Sequence, residues 1–429
     1  MRYQQRTTTE GFFGSSTPSA KLPVKPNTQP FASPRPPGGK PGHPGHGRKA
    51  IAPAEADRVE PVAAPDQCPQ CGGGLVHKGS KPRTILDCQP PRTEAVLYRL
   101  EHKYCPRCRR TVAARAPGVL PKSLFSNRLL AYVAVEHYLH GSTLGHVQRQ
   151  LGLRYSSLCQ ALRQLAHRLE AIPQGLLREF RRAPVKHADE TGWRTDGHNG
   201  YAWIFCTEWL TLFRFRRSRS AQVPHEVFGS RALPGRLVVD RYGAYNRLRC
   251  AIQYCYSHLK RAVEDLAKQF PEAAEVQRFV ATFVPLLAAA ICLRRQPMSD
   301  ADYRRRARVL KQQIVETTQT PAQHPAVQDI QNLFREKAGR LYHWAQDRRV
   351  PADNNRAERE LRPLVIARKI SFGSQSEEGA HTREVLMSVL HTMKKRTPEV
   401  REAFEKLLDQ LAENPSRDPY KLLGSFDSS

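Results

Sequence analysis

The chain has 429 residues, with 68 Lys and Arg against 40 Asp and Glu, a formal net charge of +28. That length predicts about two to four domains, and the cationic excess points to a polyanionic partner, most simply nucleic acid. Residues 1–20 lack the apolar stretch of a secretory signal. The longest apolar run, Phe283 to Leu293, holds Pro285 and is too short to span a bilayer. The reading is a soluble cytoplasmic protein with no membrane partner, in which the ten Cys stay reduced and paired Cys are metal ligands rather than disulfides.

Residues 1–60 are rich in Pro, Gly, Ser and Lys/Arg and read as a disordered basic arm. Residues 61–120 hold two C-x-x-C knuckles, Cys68/Cys71 and Cys105/Cys108. Four thiolates presented from two tight turns predict a closed, structural Cys₄ zinc site. Residues 121–180 are helical in pattern. Ser126-Asn127 caps a first helix that runs toward Gly141, and a short helix from Ser142 meets a turn at Gly152. Ser156-Ser157 opens another helix with Leu158, Leu162, Leu165 and Leu169 at helical spacing. Helix, Gly turn, helix is a helix-turn-helix-like pattern, which makes Arg154, Gln160, Arg163 and Gln164 candidate DNA contacts.

From Pro184 the pattern changes to strands. Val185 to Ala188 reads as a strand ending on Asp189. Tyr201–Thr207 and Thr211–Phe215 form a hairpin, Arg236–Val239 ends on Asp240, and Ile252–Cys255 is a further short strand. His258 to Phe270 begins a helical region, and residues 271–347 read as an all-α insertion with basic surface at Arg304-Arg305-Arg306 and Arg308. Asp353-Asn354-Asn355 is a polar turn before a helix that carries Glu358 in its first turn. The strand order predicts an α/β ribonuclease-H-like catalytic core over 181–395, followed by a helical tail over 396–429 with frayed last residues. The whole is multidomain, the core being preceded by the zinc-binding module and the helix-turn-helix-like region.

Two strand-end acids and one helix Glu make the oxygen-donor set that hard divalent cations take. Asp189 and Asp240 lie 51 positions apart. Each also suits a turn or cap. With Asn355 as N-cap, Glu358 falls at the third helical position, where Glu reaches back to a cap. Glu190 and Glu360 are rival carboxylates. Glu190 alternates to the other side of the strand, and Glu360 lies about 200° round the helix from Glu358.

These segments together resemble the DDE transposases of the insertion-sequence-66 family. The resemblance rests on the two Cys knuckles and the Pro/Gly/Lys-rich arm before them, and on His187-Ala188-Asp189-Glu190-Thr191. It continues through Asp240-Arg241-Tyr242-Gly243-Ala244-Tyr245-Asn246 and Cys255-Tyr256-Ser257-His258, where Tyr256 stands in place of the usual Trp. It ends with Asp353-Asn354-Asn355-Arg356-Ala357-Glu358-Arg359, Arg362-Pro363, Arg368-Lys369 and Gly373-Ser374.

The resemblance implies a catalytic triad of Asp189, Asp240 and Glu358 that binds Mg²⁺ or Mn²⁺, with Asp189 bridging two ions. It implies DNA as partner, both element ends and target, cut to a 3′ hydroxyl that then attacks target DNA. It also implies a homo-oligomer on DNA in a bacterial cytoplasm, with accessory proteins of the same element as further partners. His258, Arg261, Arg368 and Lys369 are candidate DNA or phosphate contacts near the site. Two alternatives stay open: a ribonuclease-H-like nuclease that cuts without joining, and an inactive zinc and helix-turn-helix DNA-binding protein.

Overall fold

The structure, a computed structural model, describes residues 91–426 apart from Cys108, and isolated positions between 54 and 76. The expected basic arm falls almost wholly outside the described residues. So does most of the expected zinc site: Cys68, Cys108 and the side chain of Cys105. Residues Leu22–Arg92 form one unit, in which Gln67 and Gly74 make an antiparallel bridge. Cys71 lies on the turn that this bridge closes and is exposed. The residues from Thr93 onward form another unit.

That second unit opens with an antiparallel hairpin, β1 (His102–Cys105) and β2 (Arg110–Ala113). Helix α1 (Asn127–Ala134) starts where the Ser126 hydroxyl accepts the Leu129 N–H, and a π turn over Val135–Leu139 prolongs it. Thr143 caps α2 (Leu144–Leu151) in the same way. The chain then turns at Gly152, whose φ of 65° is the left-handed conformation that suits Gly. Helix α3 (Tyr155–Leu169) begins one residue before the expected Ser156, and α4 (Ala171–Arg182) follows it.

Five strands form one mixed sheet in the order β5-β4-β3-β6-β7. They are β3 (Val185–Thr195), β4 (His198–Cys206), β5 (Thr211–Arg216), β6 (Arg236–Val239) and β7 (Ala251–Tyr254). The first three are antiparallel neighbours, and β6 and β7 run parallel to β3. All five expected strands are present, but β3 does not stop at Ala188. Its pairing with β4 continues through Thr195, so Asp189 sits within a strand rather than at its end. What ends near Asp189 is the pairing with β6, whose last partners are His187 and Val238. Leu237, Val238 and Val239 are fully buried, as a parallel strand covered on both faces requires. The chain enters β6 through Gly235 (φ +78°). A Cβ there would stand 2.3 Å from the Pro184 carbonyl, because Arg236 N–H must reach that same oxygen at 2.8 Å.

Helix α5 (Gln222–Phe228) links β5 to β6, and α6 (Tyr256–Gln269) follows β7 directly. Helices α7 (Ala274–Leu293), α8 (Asp300–Gln319), α9 (Pro325–Glu336) and the short α10 (His343–Gln346) come next. Helix α7 is longer than the apolar run read from the sequence. Pro285 lies inside it without breaking it, and its 20 residues are long and apolar enough to cross a membrane. In this fold it packs against α6 and α8, burying Val276, Phe279, Phe283, Leu287, Ala290 and Leu293. Arg304, Arg305, Arg306 and Arg308 are exposed on α8.

Helix α11 (Asn355–Ser371) lies on β3 and β4, and α12 (Glu377–Arg396) lies on the edge strand β5. The edge is closed in an unusual way. The N–H groups of Thr211, Phe213 and Phe215 donate to Thr392 Oγ1, Ser388 Oγ and Glu384 Oε2, at 3.1, 3.0 and 3.1 Å. Four helical residues rise about 6 Å and two strand residues about 6.8 Å, so a polar residue every fourth position meets every second N–H. This satisfies the row of donors that an edge strand leaves open.

Helix α13 (Val400–Glu413) and α14 (Pro419–Gly424) complete the unit. The expected fraying does not extend to α14. Its Tyr420 ring lies over Gly175 of α4 so closely that a Cβ there would fall 2.1 Å from Cδ2, and its hydroxyl donates to Glu179 at 2.7 Å.

Candidate active site

The pairing of β3 with β6 places the first two acids. Val185 faces Arg236, Lys186 faces Leu237 and His187 faces Val238. Carried two residues on, the same register brings Asp189 level with Asp240. The 51-residue separation read from the sequence is the register offset of the two strands. Between β6 and β7 the register pairs Val239 with Tyr254, so Cys255 lies level with Asp240.

The third acid arrives on α11. Its N-cap is Asn354, not the expected Asn355, which moves Glu358 to the fourth helical position. Asn354 is buried, and its side chain is engaged elsewhere than on the helix. Its Nδ2 donates to Ala188 O at 2.9 Å, and its Oδ1 lies 3.0 Å from His187 Nδ1. With Oδ1 the acceptor, His187 carries its proton on Nδ1. Burial lowers the His187 pKa to about 3, so the ring is neutral. The Asn354 backbone N–H donates to Cys255 Sγ at 3.1 Å. Burial pushes that thiol up to about 12, against the pull of the Asn354 and His258 N–H groups.

Two further contacts pin α11 along β3. Arg368 donates to Thr191 Oγ1 at 3.0 Å and to Gly192 O at 2.6 Å. Beyond the helix end, Ser374 N–H donates to Arg194 O, Asp196 N–H donates to Ser374 O, and Trp193 Nε1 donates to Ser374 Oγ. Gly373 (φ +125°) makes that approach feasible, since a Cβ would fall 2.2 Å from Arg194 O. Arg368 is thus buried and holds the helix, which removes it from the expected phosphate contacts. Lys369 beside it is exposed.

Asp189 lies near enough to Asp240 and Glu358 to feel the charge of both. Burial raises the Asp189 pKa well above the usual range, and the charges of Glu190, Asp240 and Glu358 add to it. The Glu190 N–H bonded to Asp189 Oδ1 at 2.9 Å opposes them. Asp240 forms the Asx turn that its sequence allowed, Oδ1 accepting the Tyr242 N–H at 2.9 Å. Glu358 makes no capping-box bond among the described residues. Its nearest ionic neighbour is His258 Nδ1 at 3.9 Å.

The rivals are otherwise occupied. Glu190 is buried, accepts Arg219 Nε and Nη2 at 3.0 and 2.7 Å on one oxygen, and accepts the Tyr245 hydroxyl at 2.8 Å on the other. Glu360 sits beside Lys395 at 3.0 Å and His391 at 3.9 Å. Burial opposes its ionisation, but the His391 hydrogen bond and the Lys395 charge outweigh that and hold it down to about 2. Arg219 and Tyr245 were not found from the sequence. Tyr245 lies within the Asp240–Asn246 segment already noted, whereas Arg219 is one of many Arg in a basic stretch.

This donor set suits a divalent cation. Among the described residues no Lys or Arg forms an ion pair with Asp189, Asp240 or Glu358. The Nδ1 of His258 is buried without a hydrogen-bond partner, and Cys255, His258 and Glu358 bring donor atoms within 4.8 Å of one another. Clustered carboxylates without counter-charges, beside an orphaned imidazole nitrogen, are arranged as a bound cation needs. Arg261 lies half-buried on α6, three residues beyond His258. Arg154, Gln160, Arg163 and Gln164 are exposed along α3, with Arg163 paired to Glu378 at 2.8 Å. A cavity of about 500 Å³ between α7, α8 and α9 is lined by other residues, among them Phe279, Leu286 and Gln331.

The chain is similar to known proteins. An uncharacterized protein of Sinorhizobium fredii (strain NBRC 101917 / NGR234), y4qI, is 28% identical over 402 residues, which is 83% of this chain and 73% of that protein. The family model described as Transposase IS66 family matches residues 122–382, a span that takes in the whole sheet, all three acids and α11. The chain belongs to the IS66 family of transposases.

Proposed function

We propose that the protein binds the ends of an insertion element and catalyses metal-dependent cleavage and strand transfer of DNA on a ribonuclease-H-like core. The observation that carries this reading is the convergence of Asp189, Asp240 and Glu358, in which Asp189 feels the charge of both others. The sheet order, with three antiparallel strands followed by two parallel to the first, supports the core assignment.

Asp189, Asp240 and Glu358 are the residues that would hold Mg²⁺ or Mn²⁺, which when bound supplies charge neutralisation at the attacking and leaving oxygens of an in-line displacement. The chain's own residues position that set. Asn354 fixes the start of α11 to β3, so Glu358 is aimed before DNA arrives. Arg219 and Tyr245 satisfy Glu190 and keep it from competing with Asp189. Lys369, Arg261 and the exposed Arg154, Gln160 and Gln164 are proposed to meet DNA, through phosphates or groove edges. Assembly on paired ends and help from element-encoded proteins belong to the same proposal.

The test incubates purified protein with linear DNA carrying the flanking element ends, in Mg²⁺ and then Mn²⁺, with element-encoded proteins supplied, beside Glu358→Gln. Cutting at the ends and joining to a plasmid, lost in the variant, is the expected result. Cutting without joining would assign a nuclease. End binding without cutting would assign an inactive DNA-binding protein.

A further inference from the structure

A second group of potential ligands lies away from the acids. His167 and Glu170 stand three residues apart where α3 passes into α4, and Glu378 and His381 stand three residues apart in the first turns of α12. A His-x-x-Glu and a Glu-x-x-His therefore face each other across a helix pair that packs together. Residues three apart share a helix face, and facing His/Glu pairs of this spacing are how helical proteins build metal centres.

The donor atoms converge. Glu170 Oε1 lies 2.8 Å from His167 Nδ1 and 3.0 Å from His381 Nε2. The three residues bring one ligand atom each within 4.8 Å of one another. The ring of His167 turns its other nitrogen, Nε2, toward Glu378 Oε1 at 3.7 Å, an oxygen that also holds Arg163 at 2.8 Å. A carboxylate behind a ligating imidazole is the usual support of a metal-bound His. All four side chains are 41 to 54% exposed and open to an entering ion.

We propose that His167, Glu170 and His381 form a surface site for a zinc-like first-row divalent cation, with Glu378 supporting His167, and that the cation ties α3 to α12. Two imidazoles and one carboxylate leave a fourth position for water. Zinc bonds of about 2.0–2.2 Å in a tetrahedron set neighbouring donors about 3.3 Å apart. The 2.8 and 3.0 Å separations from Glu170 need open by a few tenths of an ångström, and the His167 and His381 nitrogens, within 4.8 Å of each other, must come to the same spacing, all in exposed side chains. On binding, the ion takes the place of the N–H protons now shared with Glu170. Nitrogen donors select zinc, cobalt, nickel or copper over magnesium. The site is thus chemically distinct from the carboxylate set at Asp189.

The test titrates metal-free full-length protein with Co²⁺ and follows the visible spectrum, comparing wild type with His167→Ala, His381→Ala and the control His140→Ala. His140 is an exposed His paired to Glu136 without a third donor. The expected result is one Co²⁺ per chain with ligand-field bands and no thiolate charge transfer, taken up beyond any ion that the Cys knuckles hold with thiolate bands. Each of His167→Ala and His381→Ala should weaken that uptake at least about tenfold, with circular dichroism unchanged, while His140→Ala leaves it intact. Equal uptake in wild type and both site variants, or cobalt bound with thiolate bands alone, would overturn the proposal.

Discussion

Replacing Asn354 by Ala isolates the contact that aims Glu358. The backbone N–H of residue 354 keeps its bond to Cys255 Sγ, so the loss is confined to two side-chain hydrogen bonds, at 3.0 Å to His187 and 2.9 Å to Ala188 O. Both partners are buried, His187 at 2% and Ala188 at 1% exposure, and water does not replace what is lost. Leaving one buried donor and one buried acceptor unmade costs about 1–3 kcal/mol each, about 2–6 kcal/mol together. That is a large share of the stability of an ordinary domain. Urea unfolding followed by circular dichroism measures it as a lower midpoint at unchanged slope. Activity should fall further than stability explains, because Glu358 N–H bonds to Asn354 O at 3.3 Å and the first helical turn loosens with its anchor. End cleavage, measured where the variant is still fully folded, is expected to drop at least about tenfold. A stability loss under about 1 kcal/mol with undiminished cleavage would refute the idea that Asn354 is the clamp.

Glu358→Gln should reduce cleavage at least about a hundredfold with stability near wild type, whereas Glu360→Gln, which breaks the Lys395 pair, should show a lowered unfolding midpoint as its main effect. Gly373→Ala puts a Cβ 2.2 Å from Arg194 O at a φ of +125°, so a loss of about 2 kcal/mol or more is expected in the same unfolding assay. Burial, and then the Arg383 charge, lower the His137 pKa to about 4. Its contribution is therefore fully present above pH 6.5 and is lost as pH falls toward 4, because over that window the unfolded chain takes a proton that the folded chain refuses, a loss of about 3 kcal/mol. Between pH 7.5 and 4.5 the unfolding midpoint should fall further in wild type than in His137→Gln, and an equal fall would count against this account. Gly175→Ala should destabilise by displacing the Tyr420 ring, and Tyr420→Ala in the same chain should recover part of the loss, a coupling read by a double-mutant cycle.

Asp189 and Asp240 could be singled out because each follows a short run with strand pattern, Val185–Ala188 and Arg236–Val239, and the β3–β6 register then sets them level. Glu358 was legible as a residue, while its cap was not. Asn354 and Asn355 are equally good caps by type, and the choice was made by a distant partner, the Ala188 carbonyl just beyond the last β3–β6 pair. The length of β3 was hidden for a related reason. Glu190-Thr191-Gly192 looks like a turn, yet pairing with Trp203, Ala202 and Tyr201 holds it extended. Arg368 is marked with Lys369 as a phosphate contact by its motif, and only its burial shows that it holds two parts of the fold together.

The pins along α11 do unequal work, and their spacing says why. Asn354 sits four residues before Glu358, while Arg368 lies ten after it, roughly 15 Å along the helix axis, and Gly373 lies past the helix end at Ser371. A helix resists bending, so loosening its far end changes the position of Glu358 less than loosening its start. The Arg368 and Gly373 contacts therefore act mainly on stability, and the Asn354 contacts act on stability and on the acid itself. The ratio of cleavage loss to stability loss should be greatest for Asn354→Ala and least for Gly373→Ala. Equal ratios would mean that α11 moves as one rigid rod on β3, with Glu358 displaced by whichever pin is removed.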